Sequence, residues 1–207
     1  FDKARVLTAS AVTDRDIQSA ILSFKNEMRN NPQVLSVSSA SSVPGQGNSF
    51  NLFSIQTKDG YVDKGVDVYA IDEDYIKTLG IKLAKGRNFS GLSDTLRGML
   101  VNEKMVQEFG WGDNPLGKRV KFPGDTSGNY FEVVGVVKDF NQKSLYNAIT
   151  PLILLYRPNT NLIQLKLNAS NIPAAITGIE STWKKIFPDI PFQYTFLDQD
   201  FDSQYAA

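Results

Sequence analysis

The sequence predicts an α+β fold in which two strand–helix–strand units, one near each end of the chain, enclose a β-rich middle segment. Three observations predict it. Apolar residues at helical spacing lie between two strand-like segments at the start of the chain, and the same order returns near its end. The middle segment reads mostly as short strands and short helices separated by turns. We therefore predict that residues 1–49 and 156–207 form one subdomain, and that residues 50–155 are inserted into it.

The first unit begins with a strand over residues 5–10. Thr13 is predicted to cap the following helix, with Asp16 three residues later in a capping-box arrangement. Pro32 ends this helix, and residues 34–43, rich in Val and Ser, form the second strand. The apolar face of the helix consists of Ile17, Ile21, Phe24 and Met28.

The last unit repeats this plan. Residues 162–167 alternate apolar and polar side chains, as a half-buried strand does. Asn171 is predicted to cap a helix that tolerates Pro173 in its first turn and ends at Pro188. Residues 192–197 form the final strand. The apolar face of this helix consists of Ile176, Ile179, Trp183 and Phe187. Two such units suggest a split β-α-β arrangement of the ferredoxin-like kind.

The first half of the middle segment is predicted to contain a hairpin and a short helix. Residues 50–57 alternate in polarity, the turn 58–60 follows, and residues 66–70 form another strand. Asp72 is predicted to cap a short helix that stops at Gly80.

The second half is predicted to contain another short helix and two paired strands. Asn102 caps the helix, and Gly110 ends it. Residues 118–122 and 131–137 form the strands. The second is almost entirely apolar, which places it centrally in its sheet.

The composition excludes several classes of site. The chain has no cysteine and no histidine, so disulfides, thiolate metal sites and Ser-His-Asp triads are impossible. A metal site would need oxygen ligands alone, and the sequence contains no D-x-D-x-D-G loop. Lys+Arg and Asp+Glu both number 22, which argues against a nucleic-acid partner. We expect no catalytic residue, no cofactor and no metal.

The chain also has no apolar run of the ~18–20 residues that cross a bilayer. We expect a piece of a larger protein that itself lies outside the membrane.

Short motifs in fixed order give a resemblance to a known family. The run Val101-Asn102-Glu103 is followed by Pro115-Leu116-Gly117-Lys118 and then by the segment VVGVVKDF at residues 133–140. Together with the glycine-rich elements before them, these resemble the periplasmic core domain of MacB-like ABC transporter permeases, the type that includes MacB, FtsX and LolE. The residues that carry the resemblance are Gly80, Gly86, Arg87, Asn102, Glu103, Pro115, Gly117, Lys118, Gly135, Lys138, Asp139, Phe140 and Pro151.

The resemblance implies a fold and a task. It implies a porter-like subdomain that carries an inserted, β-rich Sabre-like subdomain, on the periplasmic side of the bacterial inner membrane. Flanking transmembrane helices would tether the domain, and a separate cytoplasmic domain would hydrolyse ATP. The domain itself would be non-catalytic and would transmit motion to envelope processes such as efflux or lipoprotein and cell-wall handling. The full permease would be a dimer, whereas the isolated domain would be a monomer.

The same resemblance implies a protein partner: a periplasmic adaptor, a lipoprotein or a cell-wall hydrolase. We expect partner contacts in exposed loops, at residues 45–49, 112–114 and 123–129. The individual candidates are Gln46, Asn48 and Trp111, although Trp111 could equally belong to the core.

Some motifs have a structural reading instead. Arg119 follows Gly117-Lys118 where a Walker loop needs Ser or Thr, so this pair is predicted to form a turn into a strand. Asp139 is predicted to stabilise a turn, and Gly135 to mark a close backbone approach. The alternating Asp198, Asp200 and Asp202 are predicted to form a solvated acidic segment rather than a calcium site.

Two other functions are compatible with a domain of this kind. One is a small-ligand sensor domain of a membrane receptor, which would show a pocket with convergent polar groups. The other is a glycan hydrolase with paired carboxylates, for which the sequence offers no motif that brings two carboxyl groups together.

Overall fold

The computed structural model describes residues 5–46, 49–95, 97–143, 147–168 and 170–198, which contain eleven strands and four helices. The helices are α1 (Gln18–Arg29), α2 (Tyr75–Thr78), α3 (Glu103–Glu108) and α4 (Ile172–Ile186). The strands are β1 (Val6–Ser10), β2 (Val34–Ala40), β3 (Ser49–Thr57), β4 (Gly60–Ile71), β5 (Leu83–Gly86), β6 (Gly98–Asn102), β7 (Arg119–Lys121), β8 (Phe131–Val137), β9 (Leu152–Tyr156), β10 (Leu162–Leu167) and β11 (Tyr194–Phe196). Within these described residues no helix has the length and apolar character that a bilayer crossing requires.

Four strands and two helices build what we call the split unit. The strands lie in the order β11-β1-β10-β2, and all three pairings are antiparallel. Helices α1 and α4 cover one face of this sheet, where Phe24 meets Trp183 edge-on with ring centroids 5.3 Å apart. Leu7, Ile163 and Leu165 of the sheet complete this core. The α+β class with a split β-α-β arrangement is confirmed.

The middle strands form a closed barrel, which we call the insertion barrel. Neighbouring strands follow the order β4-β3-β7-β8-β6-β9, and β9 pairs in parallel with β4 from Asp67↔Leu152 to Ile71↔Tyr156. Side chains alternate between the inside and the outside of such a barrel. Helix α3 packs against the same core through Met105. The core includes Phe53, Ile55, Val66, Val68, Met99, Val101, Val120, Val133 and Ile153.

The split unit and the insertion barrel meet at a continuous junction. Ala40 of β2 pairs with Ile71 of β4, so one hydrogen-bonded sheet runs through both parts. A third apolar core fills the space behind this pairing and includes Tyr75 from α2 and Leu79 directly after it. The outer face of the barrel therefore packs on the split unit, and the two parts share buried side chains.

Two predicted helix caps are wrong. Helix α1 begins at Gln18 and its N-cap residue is Ile17, without a side-chain cap. Thr13 lies outside the helix, while the Asp16 carboxylate accepts a hydrogen bond from the Gln18 backbone N–H at 3.1 Å. Thr13 lies too far before Ile17 to occupy the N-cap position of α1. Likewise the N-cap residue of α2 is Asp74 and not the predicted Asp72, and the Asp74 side chain makes no capping hydrogen bond.

Asp72 has a different role from the predicted cap. One oxygen accepts from the Asp74 backbone N–H at 3.2 Å, but the other accepts from the Lys25 ammonium group at 2.5 Å. The caps at Asn102 and Asn171 are confirmed, since each side chain accepts from a backbone N–H of the first turn at 3.1 Å.

Candidate functional site

Asn102 ties α3 to the barrel strand that follows Pro151. Its side chain is buried, and its amide oxygen accepts from the backbone N–H groups of Met105 at 3.1 Å and Leu152 at 3.0 Å. Its amide nitrogen donates to the backbone oxygen of Thr150 at 2.9 Å. One side chain thus satisfies three backbone groups from two elements, which explains why Asn rather than Ser or Asp suits this position.

Glu103 and Lys138 join the start of α3 to the end of β8. The Lys138 ammonium group lies 2.8 Å from the Glu103 carboxylate, which also accepts from the Asp139 backbone N–H at 3.2 Å. The hydrogen bond from Lys138 lowers the pKa of Glu103. Both side chains are exposed enough for solvent to screen them, so we assign the pair a positioning role.

Asp139 serves the helix rather than a turn of its own. Its carboxylate accepts from the Lys104 backbone N–H at 2.8 Å, in the first turn of α3, where backbone N–H groups lack helical partners. Burial raises the pKa of Asp139. The prediction that Asp139 stabilises a turn is therefore corrected: the element that its carboxylate stabilises is α3.

The glycines of the motif allow strands to approach closely. A Cβ atom on Gly135 would lie 2.2 Å from the backbone oxygen of Arg87, and one on Gly86 would lie 2.4 Å from the backbone oxygen of Val134. Next to these glycines, Arg87 makes two 2.9 Å hydrogen bonds to the buried Asp94 carboxylate. This bond lowers the pKa of Asp94. Gly117, with a φ of 79°, forms the predicted turn ahead of β7.

Three of the motif residues, Glu103, Pro115 and Lys138, line a hollow of about 510 Å³, which we call the motif hollow. Charged side chains of both signs stand around it, and Val106 and Val136 supply apolar surface. All of its lining residues belong to the insertion barrel or its loops. They include Lys85, Glu103, Val106, Asp113, Pro115 and Lys138.

The residues predicted to contact a partner fall in three different settings. Trp111 is only 4% exposed, and its indole N–H donates to the backbone oxygen of Gln56 at 2.7 Å. Its side chain therefore belongs to the barrel core and leaves little surface for a partner. Gln46 is half-buried, while Asn48 lies outside the described residues. Asp200 and Asp202 also lie outside them.

A second, larger concavity of about 880 Å³ opens where the split unit meets the insertion barrel, and we call it the junction cleft. Gln46 lines it, together with Val12 from the split unit and Leu92 from the insertion. Sequence reasoning missed this cleft because its walls come from several distant segments. The run Pro158-Asn159-Thr160-Asn161, polar and placed between two apolar strands, was the one local signal.

Neither concavity contains a gathered set of metal ligands. Across the described ranges, no group of three or more Asp or Glu side chains is arranged to hold a metal ion. What the site offers instead is a hollow lined by three motif residues, and a cleft of mixed polar and apolar surface at the junction.

A family model decides the classification. The model described as MacB-like periplasmic core domain matches residues 3–182. The chain belongs to this family. The chain is thus a MacB-like periplasmic core domain of an ABC transporter permease.

Solved structures agree on the fold. The periplasmic region of MacB from Actinobacillus actinomycetemcomitans is similar with a TM-score of 0.69 at 18% identity, over 100% of this chain and 95% of that chain. A domain assigned to a permease protein from Porphyromonas gingivalis gives 0.60 at 16%, over 91% and 86%. The extracellular domain of the noncanonic ABC-type transporter YknZ from Gram-positive bacteria gives 0.53 at 13%, over 98% and 95%. No curated protein matches the chain significantly.

Proposed function

We propose that this MacB-like domain is a non-catalytic transmitter, which carries motion from ATP-driven transmembrane helices to a partner protein in the cell envelope. The observation that carries the proposal is the junction between the split unit and the insertion barrel. There the sheet continues from Ala40 to Ile71, and the ion pair between Lys25 and Asp72 is only 2% and 0% exposed. A displacement of the split unit must therefore displace the barrel as well.

The strand order of the split unit supports an input at one edge. The start of β1 lies beside the end of β11, since Leu7 pairs with Phe196. The chain therefore enters β1 and leaves β11 at the same end of the sheet. Transmembrane helices that precede β1 and follow β11 would pull on the split unit at this one place.

The motif hollow supports an output on the insertion barrel. Its apolar surface at Val106 and its exposed charges at Lys85 and Asp113 offer a partner both contact area and specificity. The partner is a periplasmic adaptor, a lipoprotein or a cell-wall hydrolase. Part of the same proposal is the division of the chain into residues 1–49 with 156–207, and residues 50–155.

The test uses the full-length permease, which we take to be a dimer, with one spin label on each copy. These 207 residues contain no cysteine, so Leu116→Cys introduces one label site in the insertion, at a side chain that is 43% exposed, in a permease whose cysteines elsewhere are replaced by serine. We expect the distance between the two Leu116→Cys labels to change between the ATP-bound and nucleotide-free states. The control is a dimer in which one copy carries both Leu22→Cys and Leu116→Cys and the other copy carries neither. The distance between these two labels should stay constant. An unchanged distance between the copies would contradict the proposal.

The partner is tested by capture from native envelope extract with the immobilised domain. Asp113→Lys reverses a charge in the motif hollow, whereas Asp59→Lys makes the same change in the β3–β4 turn. We expect Asp113→Lys to lose the adaptor, lipoprotein or hydrolase that the wild type retains, and Asp59→Lys to keep it.

A small-ligand sensor is the second candidate function, and the junction cleft favours it. Its volume of about 880 Å³ lies in the range of small-molecule sites. The two candidates differ in the capture experiment, because a sensor domain would retain no envelope protein.

A further inference from the structure

The junction cleft has apolar lips on both sides. Leu92 and Val12 are 81% and 71% exposed, the two highest values among the large hydrophobic side chains of the described residues. Both line this one cleft, Val12 from the segment after β1 and Leu92 from a 3-10 turn in the insertion. Exposed apolar side chains that face a common concavity are typical of a binding site, whereas scattered ones are ordinary.

Arg157 lines the cleft and has no carboxylate partner among the described residues. Arg157 is the one ionisable residue among those that line it. Its guanidinium donates to the backbone oxygens of Thr95 at 2.8 Å and Tyr156 at 2.7 Å. Along the described ranges, no Asp or Glu lies within ion-pair distance of it. Since both of these hydrogen bonds use the same nitrogen, the other guanidinium nitrogens have no acceptor among the described residues and can bind an anion.

The wall beside Arg157 contains unpartnered hydroxyl groups. Over the described residues four buried side-chain oxygen atoms have no hydrogen-bond partner, and two of them, those of Thr95 and Thr160, belong to this cleft. A buried polar group that stays unpaired is destabilising. A ligand that seats against this wall, with rotation of the threonine side chain, can supply the missing partner.

The amide side chains of the cleft decide between ligand classes. Gln18, Asn159 and Asn161 line it along with Arg157. Amide side chains both donate and accept, as a peptide-like amide group requires, whereas a bare acyl chain has no use for them. Small side chains, those of Ser10, Ala40, Ser41 and Ala70, also line the cleft and leave room for a branched apolar group.

We propose that the junction cleft binds a small anion in which a carboxylate adjoins an amide and an apolar side chain, as in an N-acylated apolar amino acid. The carboxylate is bound by Arg157, the amide by the Asn and Gln side chains, and the apolar group by Val12 and Leu92. For a ligand of this size the affinity is expected to be on the order of millimolar, because few non-hydrogen atoms contribute contacts.

The probe is N-acetyl-leucine, titrated into the isotope-labelled 207-residue chain and followed by NMR chemical shifts. We expect saturable shifts at residues around the cleft, and at least tenfold weaker binding of N-acetyl-leucine amide. A pentapeptide that ends in leucine separates two sources of the same chemistry. Equal or tighter binding of the peptide assigns the cleft to a chain terminus, and weaker binding assigns it to a free small acid.

Variants test the assignment of the groups. Arg157→Gln should weaken the acid about tenfold or more and leave the amide unchanged, since hydrogen bonds to a charged group contribute about 1.5–3 kcal/mol. Arg119→Gln makes the same change in β7, away from the cleft, and should have no effect. Because Arg157 also holds backbone oxygens, Leu92→Ser provides a second test at an exposed position and should weaken acid and amide alike. Equal binding of acid and amide to the wild type, or no binding of either, would overturn the proposal.

Discussion

Removing the charge of Lys25 is expected to destabilise the whole domain. Lys25→Met leaves Asp72 buried without its counter-ion, and breaking a buried ion pair from one side costs about 3–5 kcal/mol. Asp72 retains the Ser39 backbone N–H at 2.8 Å and the Asp74 backbone N–H at 3.2 Å, which favours the lower end of this range. We therefore expect a loss of about 3 kcal/mol, which for a chain of this length lowers the melting temperature by about 6–12 °C.

The measurement is urea unfolding at neutral pH, with a matched control in the same helix. Arg29 lies one turn after Lys25 and pairs with Asp74 at 3.0 Å, but both of these side chains are partly exposed. Arg29→Met should therefore cost less than about 1 kcal/mol. If Lys25→Met cost no more than Arg29→Met, the argument that the buried pair holds the junction together would be refuted.

The pH dependence of this deficit follows from the state of Asp72. Burial raises the pKa of Asp72 above the ordinary value of 3.8, and the attraction of Lys25 opposes that rise. A carboxyl group whose pKa is raised in the folded state stabilises the fold below its unfolded pKa, and this contribution is lost as the pH rises through the folded pKa. Without Lys25 the pKa rises further, so the deficit of Lys25→Met should be larger at about pH 7 than at about pH 4.

Three further predictions concern the motif residues. Gly135→Ala should destabilise by about 1–3 kcal/mol in thermal unfolding, because its Cβ would lie 2.2 Å from a backbone oxygen, whereas Gly178→Ala in α4 meets nothing closer than 3.7 Å and should stabilise slightly. Asn102→Ala should cost about 2–4 kcal/mol in urea unfolding, because it removes a cap and leaves the Leu152 backbone N–H without this acceptor, while the Thr150 oxygen keeps its bond from Gln142. Asn171→Ala removes only a cap and should cost about 1 kcal/mol. The hydrogen bonds from Arg87 lower the pKa of Asp94 below its ordinary value of 3.8. The stability that the ionised Asp94 contributes is therefore present above pH 3.8 and is lost as the pH falls through the folded pKa. The stability difference between wild type and Asp94→Asn should shrink in acid, and a constant difference would contradict this cause.

The split unit could be predicted because its signals are local. The alternation over Leu162–Leu167 defines a strand with the bounds that the structure shows, and the Asn171 cap follows from the residues beside it. The predicted start of α1 was wrong because a capping-box pattern at Thr13 and Asp16 is only a local signal, and the helix begins later, at Gln18 with Ile17 as its N-cap residue.

The barrel could not be predicted because its closure depends on distant pairing. Strand β9 pairs with β4 through residues far apart in the chain, and nothing local in Leu152–Tyr156 specifies a parallel partner at Asp67–Ile71. The strand Gly98–Asn102 was missed as well, since a short apolar run is equally consistent with a buried helix segment. The same limit applies to Asn102, whose local role as a cap was clear while its bond to Leu152 was not.

The junction cleft and the buried ion pair share a residue, which links the two proposals physically. The Lys25 ammonium group, held by Asp72, also lies 3.5 Å from the side-chain oxygen of Asn159, and Asn159 lines the cleft. A ligand in the cleft would touch Val12 of the split unit and Leu92 of the insertion at once, so its affinity depends on how these two parts are placed. If a nucleotide state alters this placement, it changes the ligand affinity by some factor. By reciprocity, the bound ligand then shifts the equilibrium toward that nucleotide state by the same factor. A rigid junction keeps this coupling small. Weakening the junction through Lys25→Met should make the coupling larger.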